Sequence, residues 1–133
     1  MQILLGKMLM IQITPHMRIH LAMKPADFRK GIDGLCAVCR NILKSDPFSG
    51  HIFVFRNKRK TAIKILIYDG QGFWLCQKRL SQGKFHWWPD SVDARSVLLA
   101  SHELQLFIYN GNPDKSEVSP MWKDIPEHRN TSE

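Results

Sequence analysis

The sequence contains little cysteine, and the cysteine that it has does not form a disulfide framework. Only three Cys occur in 133 residues, an odd number, and no second pair accompanies the Cys36-x-x-Cys39 spacing. Both sulfurs fall on the apolar stripe of a predicted helix. We therefore interpret them as small core residues and expect no metal site and no cofactor. This cysteine usage favours a reducing, cytoplasmic setting.

The sequence also lacks the residue patterns of an enzyme. It has no Gly-rich phosphate loop and no Ser or Cys nucleophile with a paired base. Its acids do not form a set of three carboxylates that could hold two catalytic metal ions. Asp69 is expected at a turn, and Asp27 and Asp33 in the first half of a helix, where negative charge suits the dipole. We predict no catalytic residues and no enzymatic activity.

No apolar run is long enough to cross a bilayer, so no membrane contact is expected. The opening segment 1–14 is apolar, but Lys7 interrupts it, and no signal-peptide features are present. We interpret it as a leading strand or an untidy translated start. The expected organisation is an N-terminal extension (1–16), one domain (17–111) and an acidic, flexible tail (112–133) whose Trp122 could dock in a groove or bind a partner.

Acidic residues are almost absent from the middle of the chain. Segment 56–88 holds eight Lys or Arg against one acid, whereas segment 89–133 holds four against eight, within a net charge of +7. A basic surface of limited extent is expected. It is either a solvated face or a surface that attracts phosphate backbones.

The hydrophobic content of 44% is enough to build a core without disulfides or metal. Alternating apolar residues predict a strand over 17–23. Three- and four-residue apolar steps then predict a helix from near Pro25 to Leu43. Gly31 and Gly34 weaken its first half, and mark a close backbone approach or a broken first turn.

Three β-branched or aromatic runs, 51–56, 61–69 and 73–80, predict an antiparallel meander. With the shortest turns, one face of this meander is apolar, and we expect the main helix to pack against it. That face carries Ile52, Val54, Ile63, Ile65, Ile67, Trp74 and Cys76.

Later elements complete the predicted fold. A fourth strand is plausible over 84–88, an edge strand over 97–100, and a short helix over 102–109 capped by Ser101. The predicted fold class is α+β: a mostly antiparallel sheet of four or five strands packed against one main helix, with a short C-terminal helix.

Cations and aromatic residues alternate in the basic block. Lys84 and His86 are interleaved with Phe85 and Trp87, after a hairpin tip crowded with Lys and Arg. Such a pattern suits nucleic acid, because cations neutralise phosphates and rings stack on exposed bases. The alternative is structural: the Trp residues fill the core and the charged tip discourages edge-to-edge aggregation.

Three segments together resemble the TnpB family, encoded by the second open reading frame of insertion sequence 66 elements. They are KPADFRKGIDGL (Lys24–Leu35), DPFSGHIFVFRNKR (Asp46–Arg59) and IKILIYDGQGFWLCQKRLSQGKFHWW (Ile63–Trp88), and the resemblance covers about residues 17–109. It implies a non-catalytic accessory role in transposition, beside a larger protein of the same element that carries the acidic triad.

The resemblance draws attention to several positions of this chain that match the family pattern. They are Asp27, Arg29, Lys30, Gly31, Arg56, Asn57, Asp69, Gly70, Gly72, Lys78 and Arg79. A structural role in turns explains the glycines and Asp69. No structural role as clear is visible for the cations, which are Arg29, Lys30, Arg56, Lys78 and Arg79.

From the basic block and the resemblance together we predict a set of contacts to DNA or to a partner protein. The set is Arg29, Lys30, Arg56, Lys58, Arg59, Lys60, Lys64, Lys78, Arg79 and Lys84. Two mechanisms remain open. Either the protein binds DNA of the element directly, or it bridges other transposition proteins of the element without touching DNA. The sequence leaves the oligomeric state open.

Overall fold

The elements of the fold are taken from a computed structural model that describes residues 2–4, 10–12, 18–89 and 93–111. A separate antiparallel pair of short strands precedes the main sheet. The element bounds are β1 Gln2–Leu4, β2 Met10–Gln12, β3 Ile19–Ala22, α1 Ile32–Asn41, a 3-10 turn Pro47–Ser49, β4 Ile52–Arg56, β5 Ala62–Tyr68, β6 Phe73–Arg79, β7 Ser96–Leu99 and α2 Ser101–Ile108.

The main sheet has five strands in the order β6-β5-β4-β3-β7. Strand β3 runs parallel to β4, with Ile19 opposite Ile52, and α1 makes the crossover between them. The pairings β4–β5, β5–β6 and β3–β7 are antiparallel. The predicted α+β class, with a mostly antiparallel sheet, one main helix and a short C-terminal helix, is therefore confirmed.

Both faces of the sheet are buried, and this corrects the predicted position of α1. Six of the seven residues predicted on the apolar face of the meander pack on that side of the sheet, but the seventh, Trp74, is 43% exposed, so its predicted burial is wrong. Helix α2 covers this face, with Phe107 and Leu104 fully buried there. Helix α1 packs against the opposite face. Its buried side chains there lie among those of the sheet, in the cluster Ala22, Leu35, Cys36, Cys39, Leu43, Phe53, Phe55 and Leu66. Since β4 and β5 are apolar on both sides, alternation could not identify which face the crossover helix covers.

Helix α1 begins at Ile32, later than predicted, because polar contacts hold the preceding residues outside the helix. The Asp27 carboxylate accepts a hydrogen bond from the Arg29 backbone N–H at 2.9 Å, which closes a local turn. At Gly34 an added Cβ would lie 2.8 Å from the Cβ of Lys30. The glycine thus leaves room for the Lys30 side chain, and no close approach of backbone, the first of the two predicted reasons, is seen at Gly34.

The predicted fourth strand is wrong. Residues 84–88 pair with no strand, because their backbone groups are bonded elsewhere. The Phe85 N–H donates to the Lys60 carbonyl at 2.8 Å, and the Asn110 side chain bonds the Lys84 carbonyl and the His86 N–H. Phe85 is 2% exposed and its ring lies 5.3 Å from that of Phe107. The segment serves as part of the layer that covers the α2 side of the sheet.

The edge strand and the short C-terminal helix are confirmed, but the predicted cap is wrong. Helix α2 is capped at Ala100, one residue before Ser101. The Ala100 N–H donates to Glu103 Oε1 at 2.8 Å, so the side chain of an acid in the first turn satisfies the N–H of the capping residue. The predicted tail, 112–133, lies outside the described residues.

Candidate nucleic-acid interface

The turn between β4 and β5 displays three exposed cations on a defined scaffold. Asn57 organises it: its Oδ1 accepts from the Thr61 N–H at 2.9 Å, and its Nδ2 donates to Thr61 Oγ1 at 2.8 Å. Lys60 takes a left-handed conformation, with φ of 62°. The turn therefore holds Lys58, Arg59 and Lys60 outside the sheet, with their side chains in solvent.

Strand direction brings many more cations to the same end of the sheet. The parallel strands β3 and β4 finish there, β6 also finishes there, and β5 and β7 start there. Backbone hydrogen bonds tie these segments together, for example from Ala26 to Arg56 at 2.9 Å and from Met23 to Arg95 at 3.0 Å. We call this group the cationic end: Lys24, Arg29, Lys30, Arg56, Lys58, Arg59, Lys60, Arg79, Lys84 and Arg95.

Few acids offset this charge within the described residues. Asp27 is paired with Arg29 at 2.7 Å, and the hydrogen bonds from Arg29 lower the pKa of Asp27 to about 2. Asp33 lies in the first turn of α1, and Asp93 precedes β7. The excess of cations gives this end a positive potential, which attracts phosphate groups over a distance of about 10 Å at moderate salt.

Arg56 differs from the other cations because it is half-buried and held in place. Its Cζ lies 5.5 Å from the centre of the Trp88 ring, and its Nη1 donates to the Asn57 carbonyl at 3.3 Å. Burial lowers the pKa of Arg56, but a guanidinium stays charged. Its buried Nε has no hydrogen-bond partner among the described residues. The guanidinium is thus positioned before any ligand arrives.

Lys64, one of the predicted contacts, is buried inside the fold. It is 7% exposed, and its Nζ donates to the carbonyls of Phe28 at 3.0 Å and Lys30 at 2.8 Å. The same ammonium lies 4.9 Å from the centre of the Phe28 ring. Lys64 therefore fastens the segment before α1 to strand β5.

Lys78, another predicted contact, also has a structural role that the sequence did not reveal. Its Nζ donates to the Ile108 carbonyl at 2.6 Å and lies 4.9 Å from the Tyr109 ring centre. Burial lowers the pKa of Lys78. A cation at a helix C-terminus interacts favourably with the dipole, so Lys78 stabilises the end of α2.

Sequence reasoning missed two residues of the cationic end, Lys24 and Arg95. Lys24 follows β3 and Arg95 precedes β7, and each is exposed. The only local feature that could have indicated either residue is a cation next to the end of a predicted strand. Lys24 and Arg95 come close together because Ala22 of β3 pairs with Ser96 of β7, although the two strands are more than seventy residues apart in sequence.

The opposite end of the sheet carries exposed aromatic rings. Phe48 is 55% exposed and stands edge-on to Tyr68 and Phe73, with ring centres 4.9 and 5.0 Å away. Trp74 is 43% exposed, and its Nε1 donates to Asp69 Oδ2 at 2.8 Å. Asp69 also accepts from two backbone N–H groups of the β5–β6 turn, so it has the structural duty that was predicted.

Other kinds of site find little support in the described part of the chain. No three His, Cys, Asp or Glu side chains there are grouped so that they could hold a metal ion. Within the same residues, no helix combines the length and the apolar character needed to cross a membrane.

The structure thus defines a small α+β domain whose sheet is strongly cationic at one end. The chain belongs to the family described as IS66 Orf2 like protein, whose sequence model matches residues 17–116. This confirms the resemblance seen in the sequence, and the family implies an accessory role in the transposition of an insertion sequence.

Two relatives from Sinorhizobium fredii (strain NBRC 101917 / NGR234) support this assignment. The chain is 42% identical to the uncharacterized protein y4jC over 99 residues, and this alignment covers 74% of the chain and 83% of the relative. It is 35% identical over 99 residues to the uncharacterized protein y4hO, covering 74% of this chain and 84% of the relative. No solved structure matches the chain.

Proposed function

We propose that this protein assists transposition by contacting DNA through its cationic end, without catalysing a reaction itself. The observation that carries the proposal is the convergence of cations from separate segments on one end of the sheet. Phosphate contacts of this type supply most of the sequence-independent affinity of proteins for DNA. They also fix the orientation of a protein on the duplex.

The cations divide into a mobile group and a fixed one. Lys58, Arg59 and Lys60 project from the β4–β5 turn, where their long side chains can follow phosphates on a curved backbone. Arg56 is held against Trp88 at the base of that turn. A pre-positioned guanidinium loses little conformational entropy on binding, so Arg56 is the anchor of the proposed surface.

Lys64 and Lys78 are not part of the proposed surface, although the sequence pointed to them. Their ammonium groups are engaged with backbone carbonyls of the domain itself. Breaking those bonds to reach a phosphate would cost the fold the contacts that they make.

The test compares two arginines at opposite ends of the sheet. Arg59 lies in the cationic end, and Arg18, also exposed, precedes β3 at the other end. Binding of a fluorescein-labelled duplex is measured by anisotropy over a range of salt concentrations. Arg59→Ser should weaken binding and lower the slope of log affinity against log salt by about 0.9, the value for one lost phosphate contact. Arg18→Ser removes the same charge and should leave the slope unchanged.

If Arg18→Ser lowers the salt slope as much as Arg59→Ser does, net charge drives binding and the cationic end does not. Absence of salt-sensitive binding by the wild-type protein would exclude direct DNA contact. The bridging role would then be favoured, and the exposed Phe48 and Trp74 give it a candidate protein-contact surface at the opposite end. Pull-down of other proteins of the element with a Phe48→Ser, Trp74→Ser variant tests that role.

A further inference from the structure

Strand β6 is an open edge of the five-stranded sheet. It ends the strand order and pairs with β5 on one side only. All seven of its residues are at least partly exposed, whereas six of the seven residues of β5 are buried. Natural sheets commonly keep an unpaired edge strand short, and β7, at the other edge, has four residues. The length and exposure of β6 indicate an edge that another strand can join.

The ladder between β5 and β6 determines which backbone groups of β6 point outward. The Asp69 N–H donates to the Gly72 carbonyl at 3.0 Å, and bonded pairs then alternate along the antiparallel ladder, so the even-numbered residues of β6 bond to β5. The bond from the Leu80 N–H to the Thr61 carbonyl, at 2.9 Å, fits the same alternation. The odd-numbered residues have their N–H and C=O groups directed away from the sheet, and no other described residue offers these groups a backbone hydrogen bond. They are Phe73, Leu75, Gln77 and Arg79.

The side chains of β6 are complementary to those of a second copy that runs antiparallel to it. In the register that pairs all seven residues, Phe73 lies opposite Arg79 of the partner subunit, and a cation beside an aromatic ring is a favourable contact. Trp74 lies opposite Lys78 of the partner subunit, whose aliphatic stem can pack on the indole ring. Asp69 accepts a hydrogen bond from Trp74 at 2.8 Å, so an acid also approaches these cations. The edge therefore matches itself in side-chain chemistry.

Cys76 lies at the centre of β6, so in this register it faces Cys76 of the partner subunit across a two-fold axis. The two residues do not exchange hydrogen bonds, because their backbone groups bond to β5, and such a pair has its Cα atoms about 4.5 Å apart. A disulfide can join Cα atoms about 4.4 to 6.8 Å apart. Cys76 is partly exposed, whereas Cys36 and Cys39 are buried. Its thiol can therefore report the pairing.

We infer that two copies of this chain pair through the outward edges of β6 and form one continuous sheet about a two-fold axis. The pairing satisfies every outward backbone group of both strands, and it places cations opposite rings, which a strand of unrelated sequence would not do. The cationic end of each copy then lies beside the opposite end of its partner, so the two cationic ends point in opposite directions. The dimer can therefore bridge two DNA duplexes. This consequence rests on the proposed function, whereas the pairing itself does not.

Oxidative cross-linking of the full chain tests the register. Copper phenanthroline oxidises two thiols that meet to a disulfide, so the wild type should form a cross-linked dimer and Cys76→Ser should not. The matched control, Cys76→Ser, Gln77→Cys, moves the thiol to a more exposed position on the same edge. Position 77 lies opposite Leu75 of the partner subunit, so the two copies of position 77 are about 7 to 8 Å apart, too far for a disulfide without backbone movement. Its cross-linking should be at least about tenfold slower. Equal rates would indicate random collision and overturn the inference.

Sedimentation equilibrium measures the pairing without a cross-link. Gln77→Pro removes an N–H that makes no bond to β5, and an edge strand tolerates proline at such a position. By symmetry the dimer loses two hydrogen bonds, so its dissociation constant should rise by about thirtyfold, whereas the control Gln77→Ala keeps the N–H and should change it little. A wild type that stays monomeric at every concentration, as it would if another part of the chain covered the edge, would overturn the inference. So would a dimer that Gln77→Pro leaves unchanged. If circular dichroism shows that the proline unfolds the domain, the cross-linking rates decide.

Capture of a second duplex tests the bridging of DNA. Protein is bound to a biotinylated duplex on streptavidin beads, and retention of a second, fluorescent duplex is measured. The wild type should retain it, whereas Gln77→Pro should bind the first duplex with similar affinity and retain at least about tenfold less of the second. A wild-type dimer that binds the first duplex but retains none of the second would refute the bridging while leaving the pairing intact. If no form binds DNA, the proposed function fails and the cross-linking result stands alone.

Discussion

Replacing Lys64 by Met separates a cation that supports the fold from those proposed to contact DNA. The Lys64 ammonium lies within hydrogen-bonding distance of the carbonyls of Phe28 and Lys30, against the Phe28 ring. Methionine keeps a flexible apolar stem of similar length but cannot donate. The substitution therefore removes the ammonium contacts and leaves most of the side-chain packing in place.

The expected loss of stability follows from opposing contributions. Two hydrogen bonds from a charged group contribute about 1.5 to 3 kcal/mol each, and the contact with the ring adds about 1 kcal/mol. Burying an ammonium that is only 7% exposed costs several kcal/mol, and the methionine variant avoids this cost. We expect a net destabilisation of about 3 kcal/mol.

Urea unfolding followed by fluorescence measures this loss. With an m value of about 1.5 kcal/mol/M, the midpoint should fall by about 2 M. The control Lys58→Met, at an exposed position, should change stability by no more than about 0.5 kcal/mol. The salt slope of DNA binding should be unchanged in Lys64→Met. A variant as stable as the wild type, or one with a reduced slope, would refute the structural role assigned to Lys64.

Two further predictions concern the thiols and the β5–β6 turn. Burial raises the pKa of Cys39 to about 12 and also raises that of Cys76, but Cys39 is fully buried whereas Cys76 is partly exposed. Iodoacetamide should therefore label Cys76 before Cys39 in the folded protein, and mass spectrometry showing equal rates would contradict the packing of α1. Backbone hydrogen bonds from the turn lower the pKa of Asp69, so its contribution to stability is present above the ordinary Asp value of about 3.9 and is lost as pH falls through the lowered pKa. Urea midpoints should decline less below about pH 4 in Asp69→Asn than in the wild type, and an equal decline in the two proteins would show that Asp69 does not couple folding to protonation.

Local patterns predicted most of the meander but not the position of its helix. Alternation and turn residues grouped Ile52, Val54 and Ile63 on one face, and the structure keeps them there. The same rules predicted that α1 covers this face. They failed because Phe53 and Phe55 make the other face of β4 equally apolar, and the choice depends on the crossover from β3.

The candidate site was predictable where its residues are adjacent in sequence. Lys58, Arg59 and Lys60 follow one another, so a turn was enough to place them together. Lys64 stands alone in the apolar run AIKILI, and that isolation is a signal of burial that the total charge of the block concealed. Arg95 could not be assigned without the pairing of β7 with β3.

The order of the strands has a consequence for synthesis on the ribosome. Strand β3 is made before the rest of the sheet but lies between β4 and β7, and its partner in β7 ends at Leu99. We expect the locally connected strands β4, β5 and β6 to associate first, since short loops close quickly. Until residues 96–99 emerge, one edge of β3 has no β7 to pair with, and nascent chains made side by side could pair there with one another. Translation of the final third of the domain is therefore the period in which this protein is most exposed to misassembly.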